Sequence, residues 1–226
     1  MRKLVTGAVV AILSLVLAGA ALAAFTQTST ITLTAHSAGK TTGLKANVSS
    51  TDPSVPQPKA AKLLVVTFPS KTRFNLATPL VTACKLSDTQ LAVGAACPTK
   101  SLIGTGSAVA NAYPLDTSVP ATVKSYVAGA KAMVMVATAN VLGETMRTII
   151  HATVSGSKLT IPVPTPVVST IKVVLVSLKL NVPAKGSGTT ALITAGACRA
   201  HKLVVKSHFV YVDGSTFNTT SSSACK

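Results

Sequence analysis

The sequence predicts an all-β protein: an antiparallel β-sandwich, Ig-like in broad architecture, with one short helix in a disulfide loop. Three observations support this prediction. Apolar and polar residues alternate with a period of two in about ten short stretches, Gly, Pro, Asn or Asp mark the turns between them, and no stretch has the pattern of a long helix. A chain of 226 residues can form such a fold as a single domain.

Residues 1–24 predict a secretory signal peptide. Arg2 and Lys3 precede an apolar run over 4–22, which closes on the small residues of "ALAA". The run could almost span a bilayer, so an uncleaved N-terminal anchor is the alternative. Cleavage is favoured, because processing needs the Ala-x-Ala ending and an anchor does not. Residues 25–226 then form the single domain, secreted or held at the cell surface.

The predicted strands follow in chain order. A first hairpin is expected from 30–36 and 44–50, where the apolar residues share one face. A Pro-rich connector at 53–59 leads to a strand at 61–69 that is apolar on both faces. Later strands are expected at 102–112, 121–128, 132–139, 147–155, 158–163, 171–182 and 201–213. The polar tail that follows is expected to be tied down by Cys225.

A short helix is predicted directly after Cys84. Ser87 has the character of an N-cap, Asp88 would lie in the first turn, and Gln90 occupies the capping-box position. Gly94 would end the helix. The pattern therefore indicates one or two helical turns.

The four cysteines, Cys84, Cys97, Cys198 and Cys225, all lie in the exported part, where thiols oxidise to disulfides. Four cysteines allow three pairings, and the sequence does not decide among them. Cys84–Cys97 and Cys198–Cys225 are favoured because each closes a local loop, worth about 3 kcal/mol in the chain-entropy model. No metal site is predicted, because there is no Cys-x-x-Cys and no His at ligand spacing from a cysteine pair.

The stretch "CPTKSLIGTGSAVA" (97–110) has the composition of a phosphate-binding loop. A dinucleotide fingerprint would need a third glycine where Val109 stands, and no Gly-Lys-Ser/Thr follows at the interval of a P-loop. Gly104 and Gly106 are instead expected to permit a bulge or the close approach of a neighbouring strand. No nucleotide or other cofactor is predicted.

No catalytic residue is predicted. Each acidic residue has a turn or capping position that explains it: Asp52, Asp88, Asp116, Glu144 and Asp213. His151 and His208 fall on the polar faces of their strands, and neither a Gly-x-Ser-x-Gly nor a His-Glu-x-x-His motif is present. A hydrolase would need a His within hydrogen-bond reach of both an acid and a hydroxyl, assembled in space.

The charge favours anionic partners. The chain has 21 basic and 5 acidic residues; loss of Arg2 and Lys3 with the signal would leave 19 against 5, a formal charge of +14. Such a balance indicates anionic cell-wall polymer or a lipid surface as partner. Nucleic acid is not expected, since the lysines are spaced singly and five Phe, three Tyr and no Trp offer few stacking platforms. The sequence does not indicate an oligomeric state.

The order of these features resembles a family of exported β-proteins from high-GC Gram-positive (actinobacterial) bacteria. Its signature is two cysteines with twelve residues between them, the second followed by Pro-x-x-Ser-x-Ile/Val-Gly-x-Gly-x-Ala. The matching positions are Cys84, Cys97, Pro98, Ser101, Ile103, Gly104, Gly106 and Ala108. The family often has a Gly where this chain has Lys71, in the turn after Phe-Pro. The resemblance covers 60–226 and implies an exported β-protein with disulfides; it implies no activity.

The predicted function is that of an exported, non-enzymatic protein of the cell envelope or the surrounding medium, with a structural or binding role. The first alternative is a carrier or binder of anionic lipid or wall polymer, and the second is a secreted hydrolase. A structural module predicts no deep pocket with convergent polar groups, whereas a carrier predicts an apolar cavity between the sheets.

Overall fold

The computed structural model describes residues 25–51, 59–115, 117–141, 143–168 and 170–226; the predicted signal peptide and most of the predicted connector lie outside them. Within these ranges the chain forms fourteen strands, one α-helix (α1, Asp88–Ala92) and two 3-10 turns. The strands are β1 (Thr26–Leu33), β2 (Leu44–Thr51), β3 (Ala61–Thr67), β4 (Arg73–Phe74), β5 (Leu102–Tyr113), β6 (Thr117–Gly129), β7 (Ala132–Val141), β8 (Glu144–Ser155), β9 (Lys158–Pro162), β10 (Val167–Val168), β11 (Ile171–Val182), β12 (Ile193–Thr194), β13 (Lys202–Tyr211) and β14 (Thr216–Ala224).

Eleven of the strands in the described ranges form one antiparallel sheet that curls into a nearly closed barrel. Their order is β1, β2, β11, β5, β6, β7, β8, β9, β3, β13 and β14, and β10 pairs with β11 outside this path. The remaining strands, β4 and β12, form a separate two-stranded ribbon.

The predicted β-sandwich is therefore wrong. A sandwich has two sheets that pack face to face, whereas strand pairing here runs without a break from β1 to β14. Alternating hydropathy identifies the buried face of each strand, and that alternation is the same in a sandwich and in a barrel. The two folds differ in the long-range pairs that join distant segments, such as β2 with β11 and β3 with β13.

β1 and β14 meet along the seam that closes the barrel, where serine hydroxyls take the place of a backbone ladder. The Ser221 hydroxyl accepts a hydrogen bond from the backbone N–H of Ile31 (3.1 Å) and donates to its carbonyl oxygen (2.6 Å). Ser223 Oγ donates to the carbonyl oxygen of Leu33 (3.3 Å). The sequence predicts only a polar tail where β14 lies, because a run of Ser and Thr has no apolar face to indicate a strand.

The other long strands confirm the predictions to within a few residues. The first hairpin pairs β1 with β2 in the register Ile31 opposite Ala46. The seven strands predicted between 102 and 213 correspond to β5, β6, β7, β8, β9, β11 and β13. Strands of this length bury one complete face, so their periodicity is unambiguous.

The barrel has a lower end, where β1 finishes and β2 begins, and an upper end, where β1 starts. The ribbon of β4 and β12 closes the lower end with the buried side chains of Leu76, Leu192 and Ile193. Hydrogen bonds hold this closure: the backbone N–H of Asn75 donates to the Leu192 carbonyl oxygen (2.8 Å), and Thr78 Oγ1 donates to a backbone carbonyl (2.8 Å).

The structure confirms both favoured disulfides, Cys84–Cys97 and Cys198–Cys225, with Cα–Cα distances of 5.2 and 5.9 Å. Two disulfides and no free cysteine indicate an oxidising, extracytoplasmic environment. The short helix is also confirmed inside the first disulfide loop, with Ser87 as N-cap and the reciprocal capping box to Gln90.

Lys71 adopts a left-handed backbone conformation, with φ of 66°. This region of φ favours glycine, because other residues place Cβ against the following carbonyl oxygen. A Gly would adopt this conformation without strain.

Candidate functional site

The barrel interior contains adjoining apolar cavities. An antiparallel barrel of about eight strands is just wide enough for side chains to fill, and each further strand widens it. Here a cavity of about 80 Å³ lies among inward-facing side chains that include Leu64, Met135 and Phe209. A second cavity of about 60 Å³ adjoins it and shares the lining residues Ile150 and Leu175.

Alanine at inward positions leaves this room. Inward alanines alternate with outward residues on β5 and β7, and the alanines that line the cavities are Ala61, Ala108, Ala110, Ala121, Ala137 and Ala139. A methyl group fills far less space than the Val or Leu usual at such positions. The interior is therefore thinly filled along this wall of the barrel.

The interior is closed towards the lower end. A cavity of only about 30 Å³ lies there, between the barrel and the side chains of Leu76 and Leu192. Leu192 is almost fully buried, with 1% of its surface exposed. A ligand in the larger cavities would have to enter from elsewhere.

An opening lies in the barrel wall next to the 60 Å³ cavity. Among the described residues, β8 pairs with β9 only through Thr153–Ser155, so the rest of β8 has a strand partner on the β7 side alone. The chain after β9 then crosses to β10 and β11. Met146 and Thr148, from the part of β8 that does not pair with β9, line the cavity on one side, and Pro164 and Pro166 of the crossing segment line it on the other. The wall is thus split beside this cavity, because no strand pairing in the described ranges joins its two sides.

Three apolar side chains are exposed at the upper end of the barrel. They are Leu115 in the turn after β5 (49% exposed), Val167 in β10 (58%) and Val212 after β13 (63%). Single exposed aliphatic side chains are common on protein surfaces, so these three residues mark this end of the barrel without defining a binding patch.

A polar cluster lies at the upper rim, near the 80 Å³ cavity that Lys59 helps to line. Lys59 Nζ lies 2.9 Å from Asp213 Oδ2 and 5.8 Å from the centre of the Phe25 ring. Ser215 donates hydrogen bonds to Asp213 from its hydroxyl (2.6 Å) and its backbone N–H (2.9 Å). The Ser215 hydroxyl, followed by Lys59, lowers the pKa of Asp213 to about 2.

A buried hydrogen bond from Tyr211 links three strands at the upper rim. Its hydroxyl donates to Gln27 Oε1 (3.0 Å), and Gln27 Nε2 donates to the backbone carbonyl of Ser49 (3.0 Å), so the contact links β13 with β1 and β2. Burial, and then the charge of Asp213, raise the pKa of Tyr211 to about 12. The phenol therefore remains a neutral donor throughout the physiological pH range.

The two histidines considered for catalysis lie on the outer wall. His151 Nε2 is 2.8 Å from Asp88 Oδ1, and the pair, which is more than half exposed, fastens α1 to β8. No hydroxyl in the described ranges hydrogen-bonds to His151. His208 Nδ1 meets Asn218 Oδ1 at 2.8 Å. Neither arrangement joins a base to both an acid and a nucleophile.

The structure confirms the expected role of the two glycines. A bulge lies between Leu102 and Gly104, and a Cβ added at Gly104 or Gly106 would collide with backbone atoms of β11. The glycines therefore permit the close approach of β11 to β5. In the ranges that the structure covers, no group of three or more His, Cys, Asp or Glu residues is placed to hold a metal ion.

The cavity and the Lys59–Asp213 pair are not evident from the sequence. The pair joins the end of the predicted connector to a turn more than 150 residues later, and no local pattern encodes that contact. A signal for the cavity is present in retrospect: alanine recurs at alternate positions in "GSAVANA" and "VATANV". Small residues on the inward face of neighbouring strands indicate unfilled interior space.

Comparison with known proteins gives no assignment: no protein-family model matches the chain, and neither a curated protein nor a solved structure shows significant similarity to it. Among the described residues, no helix combines the length and the apolar character needed to cross a membrane.

Proposed function

We propose that this protein is an exported, non-enzymatic binding protein that carries a narrow apolar molecule, or the acyl chain of a lipid, in its barrel. The observation that carries the proposal is the pair of adjoining apolar cavities next to the split between β8 and the crossing segment. The disulfides support export, and the protein would act in the medium or at the cell surface.

The energetics of unfilled space support a binding role. Apolar space that side chains leave unfilled destabilises a protein by about 24 cal/mol per Å³, which is on the order of 2 kcal/mol for the larger cavity. A ligand in this space would restore dispersion contacts with the surrounding side chains. A purely structural module would gain stability from Val or Leu at these positions, so the inward alanines favour a carrier.

The dimensions limit the ligand. Typical pockets for drug-sized molecules measure about 300–1,000 Å³, whereas the two cavities measure about 80 and 60 Å³. The two cavities together are smaller than a twelve-carbon chain, so part of an unbranched chain would lie inside them and the rest would extend to the rim, whereas a fused ring system would enter neither. The Lys59–Asp213 pair and Ser215 would leave the polar end of such a molecule at the upper rim.

Calorimetric titration with octanoate, dodecanoate and dodecanol tests the proposal. Ala137 lines both cavities, and Ala137→Val should fill part of the space and weaken dodecanoate binding about tenfold. Ala132→Val is the matched control, because Ala132 lies on the outward face of the same strand. Dodecanol should bind to a similar extent if the apolar chain supplies most of the affinity.

Three results would contradict the proposal: no binding of any of the three probes, equal weakening by both substitutions, or tighter binding of octanoate than of dodecanoate. Native mass spectrometry of the purified protein gives a second measurement. It should detect chains bound in one-to-one stoichiometry to the wild type and to the Ala132→Val variant, and less to the Ala137→Val variant.

A further inference from the structure

A polar groove runs across the outer wall of the barrel, on the face of β1, β2, β11 and β5 that points away from the cavities. The groove measures about 580 Å³. Two cross-strand rows line it. The first row is Thr30, Asn47, Lys179 and Ser107, and the second row is Thr32, Lys45, Asn181 and Thr105.

The Gly-Thr-Gly segment of β5 shapes this groove. Gly106 forms part of its surface, and a Cβ at that position would collide with the Lys179 carbonyl oxygen. Because Gly106 has no side chain, β11 can approach β5 closely, and the backbone of these strands forms the floor of the groove between the two rows of outward side chains. The stretch that resembles a phosphate loop in composition therefore contributes to a surface groove.

The groove is basic, and no acidic residue that the structure describes lies beside it. Lys45 and Lys179 are diagonal neighbours on adjacent strands, a spacing across which long side chains can interact. Lys124 on β6 continues the second row, directly opposite Thr105. The acidic residues in the described ranges lie elsewhere: Asp88 in α1, Glu144 in β8 and Asp213 after β13. The lysines of the groove therefore repel one another without compensation from this face.

We propose that this groove binds a linear acidic polysaccharide. The lysines supply cations for carboxylate groups, and the Thr, Ser and Asn side chains between them supply hydrogen-bond donors and acceptors for sugar hydroxyls. A strip of charged and uncharged polar groups across four strands suits an extended chain of repeating units. Single-stranded nucleic acid fits less well, because neither row contains an aromatic side chain on which a base could stack.

The groove and the barrel interior act independently. The groove residues point outward from the same strands whose alternate residues point into the cavities. Attachment to a polymer through the outer wall would leave the opening beside β8 free. The groove proposal holds whether or not the interior carries a ligand.

Binding of polygalacturonate, a linear polymer of uronic acid, tests the proposal, with dextran as the uncharged polysaccharide. The wild type should bind polygalacturonate, with affinity that falls as sodium chloride is added, and should not bind dextran. The double variant Lys45→Gln/Lys179→Gln should lose about tenfold or more in affinity. The matched control is Lys131→Gln/Lys158→Gln, which removes the same charge at exposed positions on another part of the barrel and should lose less than about twofold.

Ser107→Glu is the second variant, because it places a carboxylate in the first row and should abolish binding without removal of a lysine. Equal losses of polygalacturonate affinity in the two double variants would overturn the proposal, because they would mean that binding depends on net charge and not on the groove. It would also be overturned if dextran bound as well as polygalacturonate, or if the wild type bound neither. All three variants should bind dodecanoate as the wild type does, so failure of the carrier proposal is measured separately.

Discussion

The lower and upper ends of the barrel are closed in different ways. At the lower end the ribbon of β4 and β12 buries Leu76 and Leu192, and the Cys198–Cys225 disulfide ties the following loop to the end of β14. The upper end contains the larger cavities, exposed aliphatic side chains and the exposed Lys59–Asp213 pair. The packed closure and the proposed binding site thus lie at opposite ends of the barrel.

This difference shows how a wide barrel can combine a firm scaffold with an accessible interior. Packed apolar side chains and a crosslink stabilise one end, so the other end can tolerate unfilled space. Substitutions at the lower end should therefore lower the free energy of unfolding, whereas those at the upper end should alter binding or pH response.

The largest effect is expected from Leu192→Ala. Leu192 is 1% exposed in the closure of the lower end, and loss of its side chain should reduce the free energy of unfolding by about 2–5 kcal/mol. Leu115→Ala removes the same atoms from a side chain that is 49% exposed at the upper end, and should change the free energy of unfolding by less than about 0.5 kcal/mol. Urea unfolding measures both variants, and similar losses would refute the proposed difference between the ends.

Removal of the lower-end disulfide should have the next largest effect. The double substitution Cys198→Ser/Cys225→Ser opens a loop with a sequence separation of 27 and should cost about 3.5 kcal/mol in the chain-entropy model. Dodecanoate affinity, measured well below the new melting temperature, should change little because the cavities lie towards the other end. A large loss of affinity would show that the ends are coupled.

A smaller effect is expected at the seam, between the two ends. Ser221→Ala removes the partner of both backbone polar groups of Ile31 and should cost about 1–3 kcal/mol. Ser222→Ala is the matched control, since Ser222 is exposed on the other face of β14 and should be nearly neutral. Thermal unfolding distinguishes the two, and an equally neutral Ser221→Ala would mean that β1 and β14 do not depend on this hydroxyl.

The smallest effect concerns the pH response of the upper rim. The folded pKa of Asp213 is about 2, below its ordinary value of 3.8, so the contribution of this carboxylate to stability is present above about pH 4 and is lost as the pH falls towards 2. An NMR titration of the Ser215 amide should give a midpoint near pH 2, and Lys59→Gln should raise it. A wild-type midpoint near 4 would contradict the hydrogen-bonded geometry.

The parts predicted well are those with local causes. The helix at Asp88–Ala92 follows from the capping box, and the bulge and close approach at Gly104 and Gly106 follow from their missing side chains. The parts predicted poorly have distant causes. β14 contributes serine hydroxyls to a strand about 190 residues away, and polar residues of this type carry no hydropathic strand signal.

The candidate sites divide in the same manner. The lysine and the uncharged polar residues that line the groove can be read from strands such as "TITLTAH" and "LKANVSS". Their arrangement in two rows exists only because β11 lies between β2 and β5. The cavities depend on how many strands share one sheet, and that number is set by pairing across the whole chain.

The amino-acid sequence alone determines the all-β class, the buried face of most strands, the short helix, the favoured disulfides and the basic charge, because alternation, capping, loop length and composition act over short distances. Only the tertiary structure decides that the sheet continues into a barrel, since the joining pairs are made between segments far apart in the chain. That closure places the inward alanines around shared cavities and the outward lysines along one groove. The physical reason is that a strand shows which face it buries, while its neighbours are chosen by the free energy of the whole sheet.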